Sequence, residues 1–249
     1  MPRLSVIVIA KNEAANIGAC LDSVAFADER IVVVDGGSSD GTAEIAAGKG
    51  ARVIEHAFDG FGAQKNFALA QAGGEWVLSI DADERVTPAL AAEMARVMSE
   101  AKADGYEMPR LSSFCGRQMR HSGWYPDYVL RLFRRGRARF SDDRVHERVI
   151  CDGPVARLRN DLLHEPVLRL EDALSRMDRY STANAAMTVA RGKRVSFSSG
   201  ITHGLWSFFR TYVLRGGFLD GREGFLLAVA NAEGTYYRYM KAWLAGRGS

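Results

Sequence analysis

Three features of the sequence predict an α/β protein built on a mostly parallel sheet. Four short, β-branched apolar runs fall in its first third, helical segments alternate with them, and glycines stand where each helix must stop. The runs are residues 4–10, 31–35, 52–55 and 76–81. They are nearly continuous in apolar character, as strands buried on both faces are. Between them, residues 14–24, 42–48 and 63–73 read as helices, closed by Gly48, Gly50, Gly73 and Gly74. A further helix is predicted from Pro88 to about residue 103, with Thr87 as its N-cap and Pro88 in its first turn.

After Gly105 the runs shorten. Residues 106–108, 129–134 and 148–151 read as antiparallel strands added to the same sheet. Helical character returns over residues 168–190. Two amphipathic segments follow, one marked by Leu205, Phe208, Phe209, Tyr212 and Val213, the other by Phe225, Val229, Ala232, Tyr236 and Met240. The expected organisation is a first domain over residues 1–165, with halves at 1–104 and 105–165, and a helical region over 166–249.

The 249 residues are 47% hydrophobic and 25% charged, an ordinary globular composition. A net charge of +3 is too balanced for a general polyanion binder, so nucleic acid is not an expected partner. Residues 1–100 carry 8 basic and 15 acidic side chains and the remainder 25 and 15, which suggests two different jobs. Cys20, Cys115 and Cys151 are odd in number and widely spaced, which fits a reducing cytoplasm better than a disulfide scaffold or a zinc ribbon. The chain shows no secretory signal and no run approaching the ~20 apolar residues that cross a bilayer.

Ligands of an open parallel sheet bind beyond the carboxyl ends of its strands. Those ends carry Lys11-Asn12-Glu13, then Asp35-Gly36-Gly37-Ser38-Ser39-Asp40-Gly41, then Asp81-Ala82-Asp83-Glu84. Three acidic clusters at one edge would repel one another unless a cation or a donor-rich ligand joins them. Carboxylates two residues apart, as in Asp81 and Asp83, can converge on a hard divalent ion completed by substrate phosphate oxygens. A solvated turn is the plain alternative, and the position after an apolar strand argues against it. The glycines at 36–41 fit neither the phosphate-binding loop of nucleotide triphosphatases nor the dinucleotide fingerprint. Asp35, at the end of a buried strand, is a costly carboxylate to leave unpaired and suits a hydrogen-bond acceptor for a base or ribose.

Residues 4–13 (LSVIVIAKNE), 34–42 (VDGGSSDGT), 64–66 (QKN) and 76–84 (WVLSIDADE) resemble, in order and in register, glycosyltransferase family 2. Tyr125-Pro126-Asp127, Arg131-Leu132-Phe133 and His146-Glu147 resemble the subgroup containing lipopolysaccharide-core β-glucosyltransferases. The resemblance implies a GT-A fold and a metal-dependent, inverting transfer of a hexose from a nucleotide sugar, UDP-glucose in that subgroup, to a lipid-linked saccharide acceptor. It implies a nucleoside pocket lined by Asn12, Glu13 and Asp35, with Lys65 near the nucleotide. Asp81 and Asp83 match the pair that binds Mg²⁺ or Mn²⁺, Asp83 more directly, and His164 matches a late histidine that adds a ligand or a donor. Glu147 falls where the family keeps its catalytic base. The family motif there is more often Glu-Asp than His146-Glu147, so Asp142 and Asp143 stay open as alternatives.

The arginines at 131, 134, 135, 137 and 139 form either a solvated face or a docking surface for an anionic acceptor, with Arg131 counted among the substrate-binding residues. Trp124, Tyr125 and Tyr128 precede them and suit either sugar stacking or core packing. The aromatic and basic residues of the last 50 positions suit an in-plane contact with an anionic membrane surface, hence a peripheral enzyme on the inner face of the bacterial inner membrane. Their alternatives are packing on the catalytic domain and a homodimer. Transfer to a polyprenyl phosphate is the alternative reaction, and non-catalytic binding of a nucleotide sugar is the alternative class.

Overall fold

Alternation along the first strands sends side chains to two apolar layers, and the chain covers both. The computed structural model describes residues 3–141, 147–166 and 169–246. Strands β1 (Leu4–Ala10), β2 (Glu29–Asp35), β3 (Arg52–His56) and β4 (Trp76–Ser79) lie in the spatial order β3-β2-β1-β4, all parallel. Helices α1 (Ile17–Ser23), α2 (Thr42–Gly48) and α3 (Phe61–Ala70) connect them. Val6, Val8, Val32 and Leu78 face one core and Ile7, Ile31, Val33 and Val77 the other, the period-two alternation of a strand. The chain steps outward from β1 to β3 and then returns to the far side of β1. The order therefore reverses between β1 and β4, where an open sheet forms its crevice.

The sheet continues through β5 (Glu84–Val86), which precedes α4 (Pro88–Glu100), and through β6 (Gly105–Phe114). Thr87 caps α4, its hydroxyl accepting from the Leu90 N–H at 3.1 Å, as Thr-Pro predicted. Next come β7 (Arg117–Gln118), β8 (Asp127–Arg134), β9 (Ala138–Phe140), β10 (Val149–Cys151), β11 (Val155–Arg157) and β12 (Leu162–His164). β8 runs antiparallel to both β4 and β6, as expected for added strands. β10 does not join them. It pairs with β9 in a separate two-stranded ladder, because a neighbour close in sequence closes an antiparallel pair without a crossover.

The chain divides into two units, residues 1–110 with 127–164, and residues 111–126 with 165–249. The first holds the parallel sheet. The second holds α5 (Leu170–Ala190), α6 (Phe197–Phe209) and α7 (Gly221–Ala245), with α7 packed on both other helices. The last turn of α6 widens into a π-helical segment, Arg210–Leu214, and a 3₁₀ turn, Gly217–Asp220, leads into α7. The buried Asp220 carboxylate fixes residues 120–122. It accepts from the Arg120 N–H at 3.1 Å, from His121 N–H and Nδ1, and from the Ser122 hydroxyl at 3.0 Å. Among the described residues no helix is long and apolar enough to cross a membrane.

Candidate active site

The residues after β1 and β2 brace one another. Lys11 Nζ lies 2.7 Å from Asp35 Oδ2, and the Gly37 N–H donates to Asp35 Oδ1 at 2.9 Å. The Lys11 ammonium, and then that N–H, hold the Asp35 carboxyl below the usual carboxylate range. Asn12 takes a left-handed backbone (φ 54°) that asparagine tolerates. Its side-chain oxygen accepts from the Ser39 N–H at 3.0 Å, and its own N–H donates to Ser38 Oγ at 3.0 Å. Asp40 accepts from the Thr42 N–H at 3.2 Å and from the Ala14 N–H at 2.9 Å. Asn12 thus supports the 38–42 turn rather than lining the cavity, which departs from the place expected of it beside Glu13 and Asp35.

Beyond β4 the acidic cluster meets cations of the protein itself. Asp81 Oδ1 is 3.0 Å from Lys65 Nζ, and its Oδ2 accepts from Arg131 Nη2 at 2.5 Å. Burial works to raise the Asp81 carboxyl, but Arg131 and Lys65 together hold it far below the usual range. The same Arg131 nitrogen reaches Glu84 Oε1 at 2.7 Å, and Glu84 is completely buried. Arg110 adds a longer contact to Glu84 at 3.4 Å and a close one to Asp127 at 2.6 Å. Lys65, buried on α3, also pairs with Glu147 Oε1 at 2.9 Å. Burial works against the Arg131 charge as well, yet Asp81 and Glu84 raise its pKa above that of a free guanidinium.

Asp83 stands apart from this network. Its Oδ2 lies 3.4 Å from His164 Nε2. Glu13 accepts from the Asn16 side chain at 2.8 Å. Burial first, then the carboxylates of Asp83, Asp40 and Asp81, raise the Glu13 pKa. Neither Asp83 nor Glu13 has a Lys or Arg ion pair among the described residues, so both leave negative charge at the rim.

A cavity of about 590 Å³ collects Lys11, Glu13, Asp35, Lys65, Asp81, Asp83, Glu147 and His164. A second, of about 420 Å³, is lined by Arg110, Tyr128, Arg131, Phe140 and Arg148, and again by Lys65, Asp81 and Glu147. These last three form a wall common to both spaces. His146, with Asp142 and Asp143, lies outside the described residues. No group of three or more His, Cys, Asp or Glu side chains is arranged to hold a metal among the described residues. Asp83 and His164, 3.4 Å apart, are a pair that could hold a cation completed by ligand oxygens.

Several residues of these cavities carry little signal in the sequence. Phe58 and Phe61 line the larger cavity, stacked edge-on with ring centroids 5.0 Å apart. Two aromatics three residues apart around Asp59-Gly60 were the available signal. Arg110 and Glu84 could not be paired without the strand order β6-β12-β5. The arginine run does not form a single surface: Arg131 is buried against Asp81 and Glu84, Arg135 Nε donates to the Gly74 carbonyl at 2.8 Å, and Arg139 pairs with Asp152 at 3.1 Å. Trp124 packs on Phe114, whereas Tyr128 lies under the Arg157 guanidinium, 4.4 Å from its ring centre.

A sheet whose order reverses beside a cavity holding Asp35, Asp81 and Asp83 has the build of a GT-A glycosyltransferase. The family model described as glycosyl transferase family 2 matches residues 5–159, and the chain belongs to that family. The lipopolysaccharide core biosynthesis glycosyltransferase LpsC of Rhizobium meliloti is 33% identical over 96% of this chain and 90% of its own length. An uncharacterized glycosyltransferase of Rickettsia prowazekii, RP128, is 28% identical over 97% of this chain and 87% of its own. Among solved structures, S. aureus TarS is 19% identical, with a TM-score of 0.49 over 73% of this chain and 39% of that one.

Proposed function

We propose that this glycosyltransferase moves a hexose, glucose, with inversion from UDP-glucose to a saccharide acceptor of lipopolysaccharide-core type on a lipid. The observation that carries this reading is the common wall: Glu147, Lys65 and Asp81 border both cavities at once. The larger space takes the donor. Asp35 accepts from the base, and Phe58 and Phe61 offer ring faces to it. The smaller space takes the acceptor sugar against Tyr128. Similarity to LpsC supports the acceptor class, and the three free cysteines accord with a cytoplasmic site of action.

Glu147 is positioned for the base. Lys65 holds Oε1 at 2.9 Å and leaves Oε2 to take the acceptor hydroxyl proton. The acceptor oxygen forms its bond to the anomeric carbon from the face opposite the diphosphate, the old carbon–oxygen bond breaks, and its electron pair leaves with the nucleoside diphosphate. Asp83 and His164 would hold Mg²⁺ or Mn²⁺, which supplies charge stabilisation to that leaving diphosphate. Asp81 has a different task, since both its oxygens are taken up by Lys65 and Arg131. It fixes those two cations beside the reacting groups.

In the test, Glu147→Gln is assayed for UDP binding and for glucose transfer. UDP affinity should stay unchanged while transfer falls about a hundredfold or more. Unchanged transfer would remove Glu147 from the role of base.

A further inference from the structure

Helix α6 buries its small residues and exposes its large ones. Gly200, Gly204 and Ser207 are buried, as is Thr211 in the π-helical turn that follows. Helix α7 closes on this small face. A Cβ at Gly204 would stand 3.3 Å from the Tyr236 Cβ and 3.4 Å from the Ala232 carbonyl oxygen, and one at Gly200 would strike the Met240 methyl. On the other side Phe197, Ile201, Leu205, Phe209 and Val213 recur every four residues, and all are exposed. Leu205 is 68% exposed, Trp206 53% and Leu214 59%, and Phe218 and Leu219 carry the face onward. Soluble monomers rarely leave so long an apolar stripe in water. Close backbone approach through small residues, with large apolar side chains turned outward, is how helices pack where the surroundings are lipid.

The charges select the partner. Residues 191–219 contain five basic side chains, Arg191, Lys193, Arg194, Arg210 and Arg215, and no acidic one. All five are exposed. A second copy of this face would set positive charge against positive charge, whereas a layer of anionic headgroups complements it. The segment is too short and too charged to span a bilayer, which leaves the in-plane arrangement of an interfacial helix.

We propose that residues 197–219 lie in the plane of an anionic lipid surface, with Leu205, Trp206, Phe209 and Leu214 below the headgroups and the five basic side chains on their phosphates. This contact uses no residue of either cavity, so it can fail while the sugar-transfer reading stands, and the reverse. The full chain is sedimented with vesicles of phosphatidylethanolamine and phosphatidylglycerol (3:1) and with vesicles of phosphatidylcholine alone. It should pellet with the first and bind the second roughly tenfold more weakly or worse. Brominated phosphatidylglycerol should quench the wild type, and quench Trp206→Phe much less. Leu205→Ser with Phe209→Ser, and separately Arg210→Glu with Arg215→Glu, should each release the protein from anionic vesicles without altering its circular dichroism or its hydrolysis of donor. Equal pelleting with both lipids, no pelleting with either, or binding that survives both double variants would overturn the proposal. So would a dimer that the apolar double variant dissolves while vesicles are ignored.

Discussion

In the first unit, ionisable groups gather around the ends of the parallel strands and neutralise one another; in the second, the residues turned to the surroundings of α6 are large and apolar. Arg131 is buried among carboxylates, whereas Arg210 is exposed beside leucines and aromatics. The difference teaches that a residue type says little until its solvent is known. An arginine buried beside Asp81 and Glu84 belongs to the scaffold of a site, and an arginine at the edge of an apolar stripe belongs to a surface.

The comparison gives its largest effect at those two arginines. Arg131→Met should destabilise the protein by about 3 kcal/mol in chemical denaturation, because Glu84 and Asp81 would lose their shared cation while remaining in place. Arg210→Met should shift stability by less than about 0.5 kcal/mol. Equal effects would break the distinction between them. Gly204→Leu comes next, with an expected loss of about 1–3 kcal/mol as α6 is forced off Tyr236, whereas Leu205→Ala on the neighbouring exposed position should cost far less.

The smallest effect depends on pH. Burial and nearby carboxylates raise the Glu13 pKa in the folded state. Folding therefore favours its protonated form, and ionised Glu13 weakens the fold as pH rises through its folded pKa. Glu13→Gln should melt higher than wild type at pH 7, and the gap should close below about pH 4, under the ordinary glutamate range. A melting difference that grows on acidification would reverse the sign and defeat this account. In cysteine labelling, burial pushes the Cys20 thiol up to about 12, so iodoacetamide at neutral pH should leave it unmodified in the native protein.

Much of the first unit could be read from residue order. Val6-Ile7-Val8 and Ile31-Val32-Val33-Val34 declare buried parallel strands, and Thr87-Pro88 declares a helix start. Asp35, Asp81 and Asp83 could be placed at strand ends because parallel topology puts those ends together. Their partners could not. The pairing of Arg131 with Asp81 and Glu84 depends on an antiparallel strand returning from fifty residues away, and a two- or three-residue strand such as β5 or β12 is too short to show alternation. The repulsion expected among the acidic clusters is answered by Lys11, Lys65 and Arg131, which no spacing rule assigns to them. Asn12, expected in the nucleoside pocket, has a left-handed backbone and its side-chain oxygen accepts from the Ser39 N–H, a contact that sequence position does not foretell. In α6 the helical period was plain, but only the contacts with α7 reveal that the small residues face inward.

Asp81 and Asp83, two residues apart, are given different work, and one test separates them. The direct measurement is calorimetric titration of UDP into wild-type protein and Asp83→Asn, each with Mn²⁺ and with excess EDTA. Wild-type affinity should rise strongly with Mn²⁺, whereas Asp83→Asn should bind UDP weakly and equally in both conditions with an unchanged melting temperature. If Mn²⁺ strengthens UDP binding to Asp83→Asn as much as to the wild type, Asp83 does not hold the ion, and the division of labour between the two aspartates is wrong.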